Sequence, residues 1–210
     1  MKVLSVSDKI IPSLVDTPEN FPDLQGVELM LGCGDLPYYY QENIAKKLRV
    51  PLYFVRGNHD ALIEYGVDGE RSAPLNGIDL HRKTLRQDEI ILAGIEGCNR
   101  YNNHGDFQYT SAQMWEHVYQ LVPKLLLNKL KYGRYLDILV THAAPRGIHD
   151  AEDWTHIGIK AFNWLIKTFK PKYHFHGHNH VYTDDTITET QVGKTLVINT
   201  YGYKVRDLKI

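Results

Sequence analysis

The sequence predicts an α/β fold in which a mixed β-sheet is flanked by helices. Short apolar or β-branched runs, typical of buried strands, alternate with longer segments of helical character. Most of these runs are followed within two residues by Gly, Asp, Asn or His, which is typical of strands that end in functional loops. With 210 residues the chain is long enough for one sizeable hydrophobic core, and we expect a single domain over residues 1–210.

The predicted strands are short stretches rich in Val, Ile, Leu, Tyr and Phe. In chain order they are Val3–Val6, Val27–Leu31, Leu52–Val55, Ile90–Ile95, Leu136–Val140, Tyr173–His176, Val181–Thr183, Thr186–Thr190 and Thr195–Asn199. Helices are predicted over Tyr39–Leu48, over Ser111–Leu130 with Thr110 or Ser111 as cap, and over Ile157–Phe169, which ends before Pro171. The segments Lys9–Gly26 and Gly97–Thr110 are predicted to be long loops that border an active site.

Charge and composition exclude several classes of function. Lys and Arg number 24 against 25 for Asp and Glu, so no bulk positive field attracts nucleic acid or an anionic membrane. The stretch Met1–Ser7 lacks the pattern of a secretory signal, and no segment reaches membrane-spanning length. Cys33 and Cys98 are too few for a disulfide framework. We therefore expect a cytoplasmic protein with a small-molecule partner, with nucleic acid and membrane partners disfavoured.

Five polar motifs each follow a predicted strand. In order they are Asp8, Gly34-Asp35, Gly57-Asn58-His59-Asp60, Thr141-His142 and Gly177-His178-Asn179-His180. A single Gly-Asp pair is most often only a turn, and a lone histidine is most often structural. Their joint occurrence at strand ends instead favours a catalytic metal site, because strands can hold carboxylates and imidazoles rigidly while one side stays open to substrate.

The order of these motifs resembles that of the calcineurin-like metallophosphoesterase superfamily. Gly97–Asn102, Gln108–Thr110 and Thr141–Asp150 further resemble a poorly characterised bacterial-type branch of it, so the resemblance spans most of the chain. It implies a four-layer αββα sandwich of two mixed β-sheets flanked by helices, with the site at the strand ends. It also implies two divalent or trivalent transition metal ions, and mixed oxygen and nitrogen ligands indicate manganese, iron or zinc.

The resemblance assigns a role to each motif residue. Asp35 is expected to bridge both metals, Asn58, His142 and His178 to complete one site, and Asp8 and His180 to bind the other. The implied reaction is hydrolysis of a small phosphodiester or phosphomonoester by a metal-bridging hydroxide.

Four residues are candidates for contact with the substrate. His59 is implied as the catalytic acid that protonates the leaving oxygen. Arg100 and Arg146 can grip a phosphate, and His149 is a further substrate-binding candidate. His174 and His176 alternate with the last motif at strand period but lie outside it, so we interpret them as structural.

One departure from the family pattern weakens one of the two sites. The superfamily opens with Asp-x-His, whereas this chain reads Asp8-Lys9-Ile10, and Ile10 cannot bind a metal. We expect a weaker first site, in which His149 or His156 can compensate as a ligand. The same departure keeps open an alternative function as an inactive binding or scaffold protein. Two other rivals rank low: a Ser/Thr protein phosphatase, because its Gly-Asp-x-Val-Asp-Arg-Gly motif is missing, and a nuclease, because no basic stripe is evident.

Overall fold

A computed structural model describes residues 1–66, 69–102 and 105–209. The strands are β1 Lys2–Ser7, β2 Leu29–Gly32, β3 Leu52–Phe54, β4 Glu64–Gly66, β5 Gly69–Arg71, β6 Gly77–Asp79, β7 Thr84–Gln87, β8 Ile90–Ile95, β9 Cys98–Asn99, β10 Gln108–Tyr109, β11 Ile138–Thr141, β12 Tyr173–His176, β13 Glu189–Val192, β14 Thr195–Asn199 and β15 Gly202–Asp207. The helices are α1 Pro12–Asp16, α2 Tyr38–Leu48, α3 Ser111–Tyr132 and α4 Lys160–Phe169, with 3₁₀ turns at Pro18–Asn20 and Pro22–Leu24.

Two mixed sheets form the centre of the molecule. The first has five strands in the order β15-β1-β2-β3-β6, all parallel except β15. The second has six strands in the order β13-β14-β12-β11-β8-β7, in which the two edge strands are antiparallel to their neighbours. Since β1, β2, β3 and β8, β11, β12 run parallel within their sheets, the residues that follow each set collect at one edge of a sheet.

Three apolar clusters show that the layers stack as helix, sheet, sheet, helix. The first cluster packs α1 and α2 on one sheet through residues such as Leu14, Ile44 and Phe54. The second lies between the sheets and joins residues of β1 to β3 with residues of β8, β11, β12 and β14. The third packs α3 and α4 on the outer face of the second sheet. The predicted four-layer sandwich is confirmed.

Helix α4 illustrates how the sequence positions these layers. Its buried residues recur at helical spacing, so they form one apolar stripe that faces the second sheet: Ala161, Phe162, Leu165, Ile166 and Phe169. The helix begins at Lys160 rather than at the predicted Ile157, because the loop after β11 holds the two preceding residues: the Gly158 N–H donates to the Asp150 carboxylate, and the Ile159 N–H donates to the Ala144 carbonyl oxygen.

Several predicted elements differ from the structure. Val181–Thr183 was predicted as a strand but is irregular and leads into a turn, and the strand expected at Thr186–Thr190 begins only at Glu189. Apolar and β-branched residues alone do not make a strand where no neighbouring strand pairs with them. The predicted loop Lys9–Gly26 contains α1 and both 3₁₀ turns, whose proline-led starts favour helical turns. In Gly97–Thr110, Asn103 and His104 lie outside the described residues.

None of the described helices is long and apolar enough to span a lipid bilayer. Cys33 and Cys98 are both buried free thiols, and burial raises the pKa of each well above its usual value. The two thiols therefore act as small apolar groups in the layers described above.

Candidate metal centre

The five sequence motifs meet where the two sheets present their carboxyl-terminal strand ends. Asp8, Asp35 and Asn58 follow β1, β2 and β3 of the first sheet, while His142 and His178 follow β11 and β12 of the second. Ligand atoms of Asp35, His142 and His178 all lie within 4.8 Å of one another. The structure therefore brings residues more than a hundred positions apart into one cluster.

His142 is fully buried and presents one nitrogen to this cluster. Its Nδ1 lies 2.8 Å from the Cys33 carbonyl oxygen, which can only accept, so Nδ1 is the protonated donor. The opposite nitrogen, Nε2, lies 3.0 Å from Asn58 Oδ1 and 3.4 Å from Asp35 Oδ2. Once His142 is neutral, three acceptor atoms face one another, which is the arrangement that the ligands of a cation have.

The orientation of the Asn58 amide follows from a neighbouring tyrosine. Asn58 Nδ2 donates to the Tyr101 hydroxyl at 3.0 Å, which turns Oδ1 toward His142. Oxygen is the Asn atom that binds a hard or borderline cation, so the amide has the orientation that a metal ligand requires.

His178 has the complementary arrangement of its ring. Its Nε2 lies 3.0 Å from the Thr155 carbonyl oxygen, so Nε2 carries the proton and Nδ1 has the free lone pair. The imidazole stands 4.8 Å from that of His142, measured between ring centroids. One amide oxygen, carboxylate oxygens and neutral imidazole nitrogens form a donor set that suits manganese, iron or zinc.

The charges of the cluster respond to one another. Burial opposes ionisation of Asp35, but the charge and hydrogen bond of His142, together with the backbone N–H and the charge of His59, lower the pKa of this carboxyl group. Burial likewise opposes protonation of His142, but Asp35, Asp8 and the Cys33 carbonyl oxygen together raise the pKa of the imidazole. Burial, followed by the charge on His142, lowers the pKa of His178. In the metal-free protein a single proton on His142 therefore supplies the positive charge that the surrounding oxygens require.

Asp8 and His180 lie at the more open side of the cluster. Both carboxylate oxygens of Asp8 accept from the backbone N–H of His178, at 3.1 and 3.0 Å. His180 Nε2 lies 4.0 Å from Asp8 Oδ1, and the imidazole is about 38% exposed. Burial raises the pKa of Asp8. The structure thus pairs the two residues predicted for the first metal, at a longer distance than those of the second.

Three of the predicted ligands have a left-handed backbone conformation. Asp8, Asp35 and His178 adopt φ values of 62°, 57° and 67°, in a left-handed region that side chains other than Gly, Asn and Asp enter at some cost. Gly57 has a packing role beside them, since a Cβ at this position would overlap the Asp35 carboxylate and the His142 ring. Such strain persists where surrounding contacts impose it, as at functional sites.

Asp60 fastens two of the ligand loops together. Its carboxylate accepts backbone N–H groups of Asp35 at 3.2 Å, Leu36 at 2.9 Å and Gly57 at 2.7 Å. Burial and the Asp35 carboxylate together raise the pKa of Asp60 to about 7. Asp60 therefore positions Asp35 and Asn58 relative to each other. This role accounts for the Asp at the end of the Gly57–Asp60 motif.

His59 is exposed beside the cluster and is fixed through its backbone. Its N–H donates to Asp35 Oδ1 at 2.8 Å. The residue lines a cavity of about 590 Å³ together with Asp35, Tyr39 and Tyr65, and both tyrosines are exposed. The cavity places a titratable imidazole and two aromatic rings next to a predicted metal ligand.

The three predicted substrate-binding residues lie elsewhere. Arg100 and Arg146 line a separate cavity of about 410 Å³, whose lining within the described chain includes none of the six predicted metal ligands. Arg146 pairs with Asp150 at 3.0 Å and Glu152 at 3.2 Å. His149 Nδ1 lies 3.0 Å from His176 Nε2, and His149 Nε2 lies 2.8 Å from Thr190 Oγ1. Their roles in substrate binding stay predictions that these contacts do not favour.

Three supporting residues were not singled out for these roles from the sequence. Tyr101 orients the Asn58 amide, the Cys33 carbonyl sets the His142 tautomer, and the Thr155 carbonyl sets that of His178. Two of these contacts involve backbone oxygens, which carry no residue-specific signal in a sequence.

Fold and site together define a class of protein: an αββα sandwich with a candidate metal centre at the carboxyl ends of its strands. A family model described as calcineurin-like phosphoesterase matches residues 10–182. The chain belongs to the calcineurin-like phosphoesterase family. This membership supports metal-dependent phosphoester hydrolysis as the general activity.

Solved structures agree with this fold. The protein TT1561 of Thermus thermophilus is 16% identical with a TM-score of 0.63, over 96% of this chain and 89% of that one. A hypothetical protein of the same organism is 18% identical with a TM-score of 0.50, over 95% and 75%. GAP50, the anchor in the inner membrane complex of Plasmodium, is 13% identical with a TM-score of 0.51, over 95% and 70%. Among curated proteins, no sequence gives a significant match.

Proposed function

We propose that the protein hydrolyses a small phosphodiester or phosphomonoester at a dinuclear site formed by Asp8, Asp35, Asn58, His142, His178 and His180. The observation that carries this proposal is the short distance from His142 Nε2 to Asn58 Oδ1, 3.0 Å, and to Asp35 Oδ2, 3.4 Å. Each of these side chains is oriented by a hydrogen bond with a neighbouring group, as a metal ligand would be. Two bound manganese, iron or zinc ions would activate water and neutralise phosphate charge in the transition state.

Residues next to the metals have separate roles in the proposed reaction. Asp35 bridges the two metals, a role supported by its place in the cluster with His142 and His178 and by the action of its charge on Asp8. His59, held beside Asp35 by its backbone, donates a proton to the leaving oxygen. The cavity beyond it has Tyr39 and Tyr65 on its wall, which favours a leaving group with an apolar or aromatic part.

The domain organisation, location and partners of the protein are part of the proposed function. Residues 1–210 function as one domain, and a near-neutral chain with two buried free thiols suits a small substrate in the cytoplasm. Nucleic acid is disfavoured as a partner because Lys and Arg do not outnumber Asp and Glu.

The test is metal-dependent turnover of a nitrophenyl diester and a nitrophenyl monoester by the chelated and the metal-loaded protein. We expect activity only with metal, and a loss in kcat of about 10²–10⁴-fold for His59→Gln with unchanged metal content. The loss should be smaller for a nitrophenolate leaving group, which needs little protonation, than for an alkyl one. Equal losses for both leaving groups would contradict the role of His59 as the acid.

A binding protein without hydrolytic activity is the alternative, and Ile10 is the observation that favours it. Ile10 stands where the family has a metal-ligating His, and its side chain is exposed. GAP50, whose fold this chain shares, is described as an anchor. Metal binding without turnover of either ester under any of the three metals would favour this alternative.

A further inference from the structure

The side of the site that holds Asp8 and His180 lacks one imidazole of the family pattern, the one at position 10, and this inference rests on the proposed dinuclear site. Ile10 occupies the family position of that ligand and has no metal-binding atom, while its side chain is 45% exposed. Asp8, the bridging Asp35 and His180 would be left as the protein ligands of the first metal. A fourth protein ligand would have to come from another segment of the chain.

The imidazole of His156 lies next to those of two predicted ligands. Its ring centroid is 5.2 Å from that of His178 and 6.5 Å from that of His180. Two imidazoles on one ion hold their centroids roughly 4.5–6.5 Å apart, because each metal–nitrogen bond is about 2.0–2.1 Å long. The separation of His156 and His180 is at the upper end of this range, which two imidazoles reach when they lie on opposite sides of one ion.

The ring of His156 is oriented by a carboxylate. Its Nδ1 donates to Asp153 Oδ1 at 2.9 Å, so Nε2 is the nitrogen with a free lone pair. Metal-binding histidines commonly donate their second nitrogen to a carboxylate, which fixes the tautomer and strengthens the ligand. His156 and Asp153 have the arrangement of a metal-binding histidine and the carboxylate that orients it.

The segment that carries His156 is fastened to the loop that carries His178 and His180. Asn179 Nδ2 donates to the His156 carbonyl oxygen at 3.2 Å, and His178 Nε2 donates to that of Thr155 at 3.0 Å. The backbone N–H groups of Thr155 and His156 both donate to Asp153 at 3.0 Å. Its position is therefore set by the same residues that form the candidate site.

His149, the other histidine that the sequence offers as a substitute, is already engaged on both nitrogens. His176 Nδ1 lies 3.0 Å from the Gly177 carbonyl oxygen and is therefore its donor, which leaves His176 Nε2 as the acceptor of the His149 Nδ1 proton. His149 Nε2 in turn accepts from the Thr190 hydroxyl at 2.8 Å. This chain of hydrogen bonds leaves His149 no free lone pair for a metal.

We propose that His156, oriented by Asp153, replaces the missing imidazole at position 10 as a ligand of the first metal. The cavity of about 420 Å³ on this side of the site is lined by His156, His180 and Asn179, and the buried Asn179 Oδ1 has no hydrogen-bond partner among the described residues. The first metal would then bind at the mouth of this cavity. The site would be open both to this cavity and to the cavity lined by His59.

The experiment counts metals in the folded full chain by equilibrium dialysis against Mn²⁺ and elemental analysis, with the spin coupling of paired ions as a second readout. We expect two ions per wild-type chain, one in His156→Ala, and two again in the double variant His156→Ala with Ile10→His. Asp153→Asn should weaken only the ion of the first site, by about 10–100-fold. His149→Gln serves as the matched control and should keep two ions.

Two outcomes would overturn the inference. Two ions of unchanged affinity in His156→Ala would show that His156 is not a ligand. A single ion in the wild type would show that the first site is not restored at all, although the second site would remain. Failure of the proposed function looks different, since metal would then bind without turnover of either nitrophenyl ester. Thermal unfolding of each variant establishes that the chain is folded in every comparison.

Discussion

At the residue scale, the candidate site depends on groups that orient ligands as much as on the ligands themselves. His142 and His178 use opposite nitrogens toward the site because the Cys33 and Thr155 carbonyl oxygens bind the others. Asn58 turns its oxygen inward because its amide nitrogen donates to Tyr101. A hydrogen bond that fixes a tautomer or an amide orientation lowers the cost of binding a metal, because the ligand no longer has to rearrange.

Tyr101→Phe tests this dependence. Without the hydroxyl acceptor the Asn58 amide can rotate, so we expect the affinity of the more tightly bound metal to fall by about 10-fold or more. Titration calorimetry with Mn²⁺ measures the change. Tyr53→Phe is the matched control, because it also removes a half-buried hydroxyl bond, to Gln87, but lies away from the site. Equal affinities in wild type and Tyr101→Phe would exclude the orienting role.

At the scale of elements, a capping box at the start of α3 stabilises the connection between the β9–β10 segment and this helix. Thr110 Oγ1 accepts the backbone N–H of Gln113 at 3.3 Å, while Gln113 Oε1 accepts that of Thr110 at 2.9 Å, which is a complete capping box. The helix that follows buries Met114, Val118, Leu121 and Leu125 on the second sheet. The cap therefore joins the β9 and β10 segment to the outer helical layer.

Thr110→Ala should lower the free energy of unfolding by about 1 kcal/mol, because the first turn of α3 loses its side-chain acceptor. Urea denaturation measures the difference. Ser111→Ala, one residue later, retains the capping box and should change the stability by less than about 0.5 kcal/mol. A loss of similar size in both variants would argue against the cap as its cause.

At the scale of the whole molecule, the packing of the two sheets decides whether the site exists. The ligands come from both sheets, and the cluster between them includes Val55 from the first and Phe175 from the second. Phe175 is fully buried and lies two residues before Gly177, where the last ligand loop begins. Loss of apolar volume here removes both transfer free energy and the contact that sets the distance between the two ligand groups.

Phe175→Ala should therefore destabilise the protein by about 3–5 kcal/mol and should also weaken metal binding. Chemical denaturation and metal titration at a temperature where the variant stays folded measure the two effects. Leu126→Ala, at an exposed position of α3, should change neither by a measurable amount. A Phe175→Ala chain that unfolds earlier but binds metal normally would show that inter-sheet packing does not set the ligand distances.

The order of motifs and strands was predictable because both follow from local chemistry. β-branched and apolar runs predict strands wherever a partner strand is available, and polar residues directly after parallel strands must share one edge of a sheet. This is why the motifs that contain Asp35, Asn58, His142 and His178 were expected to form one site, whereas the four-layer sandwich was expected from the family resemblance. Val181–Thr183 shows the limit of such reasoning, because strand residues without a pairing neighbour remain irregular.

The sequence by itself determined which residue types stand at the strand ends and that position 10 lacks its imidazole. The tertiary structure alone decided which supporting groups orient these residues. It placed Arg100 and Arg146 at a separate cavity and engaged both nitrogens of His149 in hydrogen bonds. It also set His156 beside His180 with one nitrogen free. The physical reason is that these outcomes depend on contacts between segments far apart in the chain, through backbone carbonyls and ring orientations that no local pattern encodes.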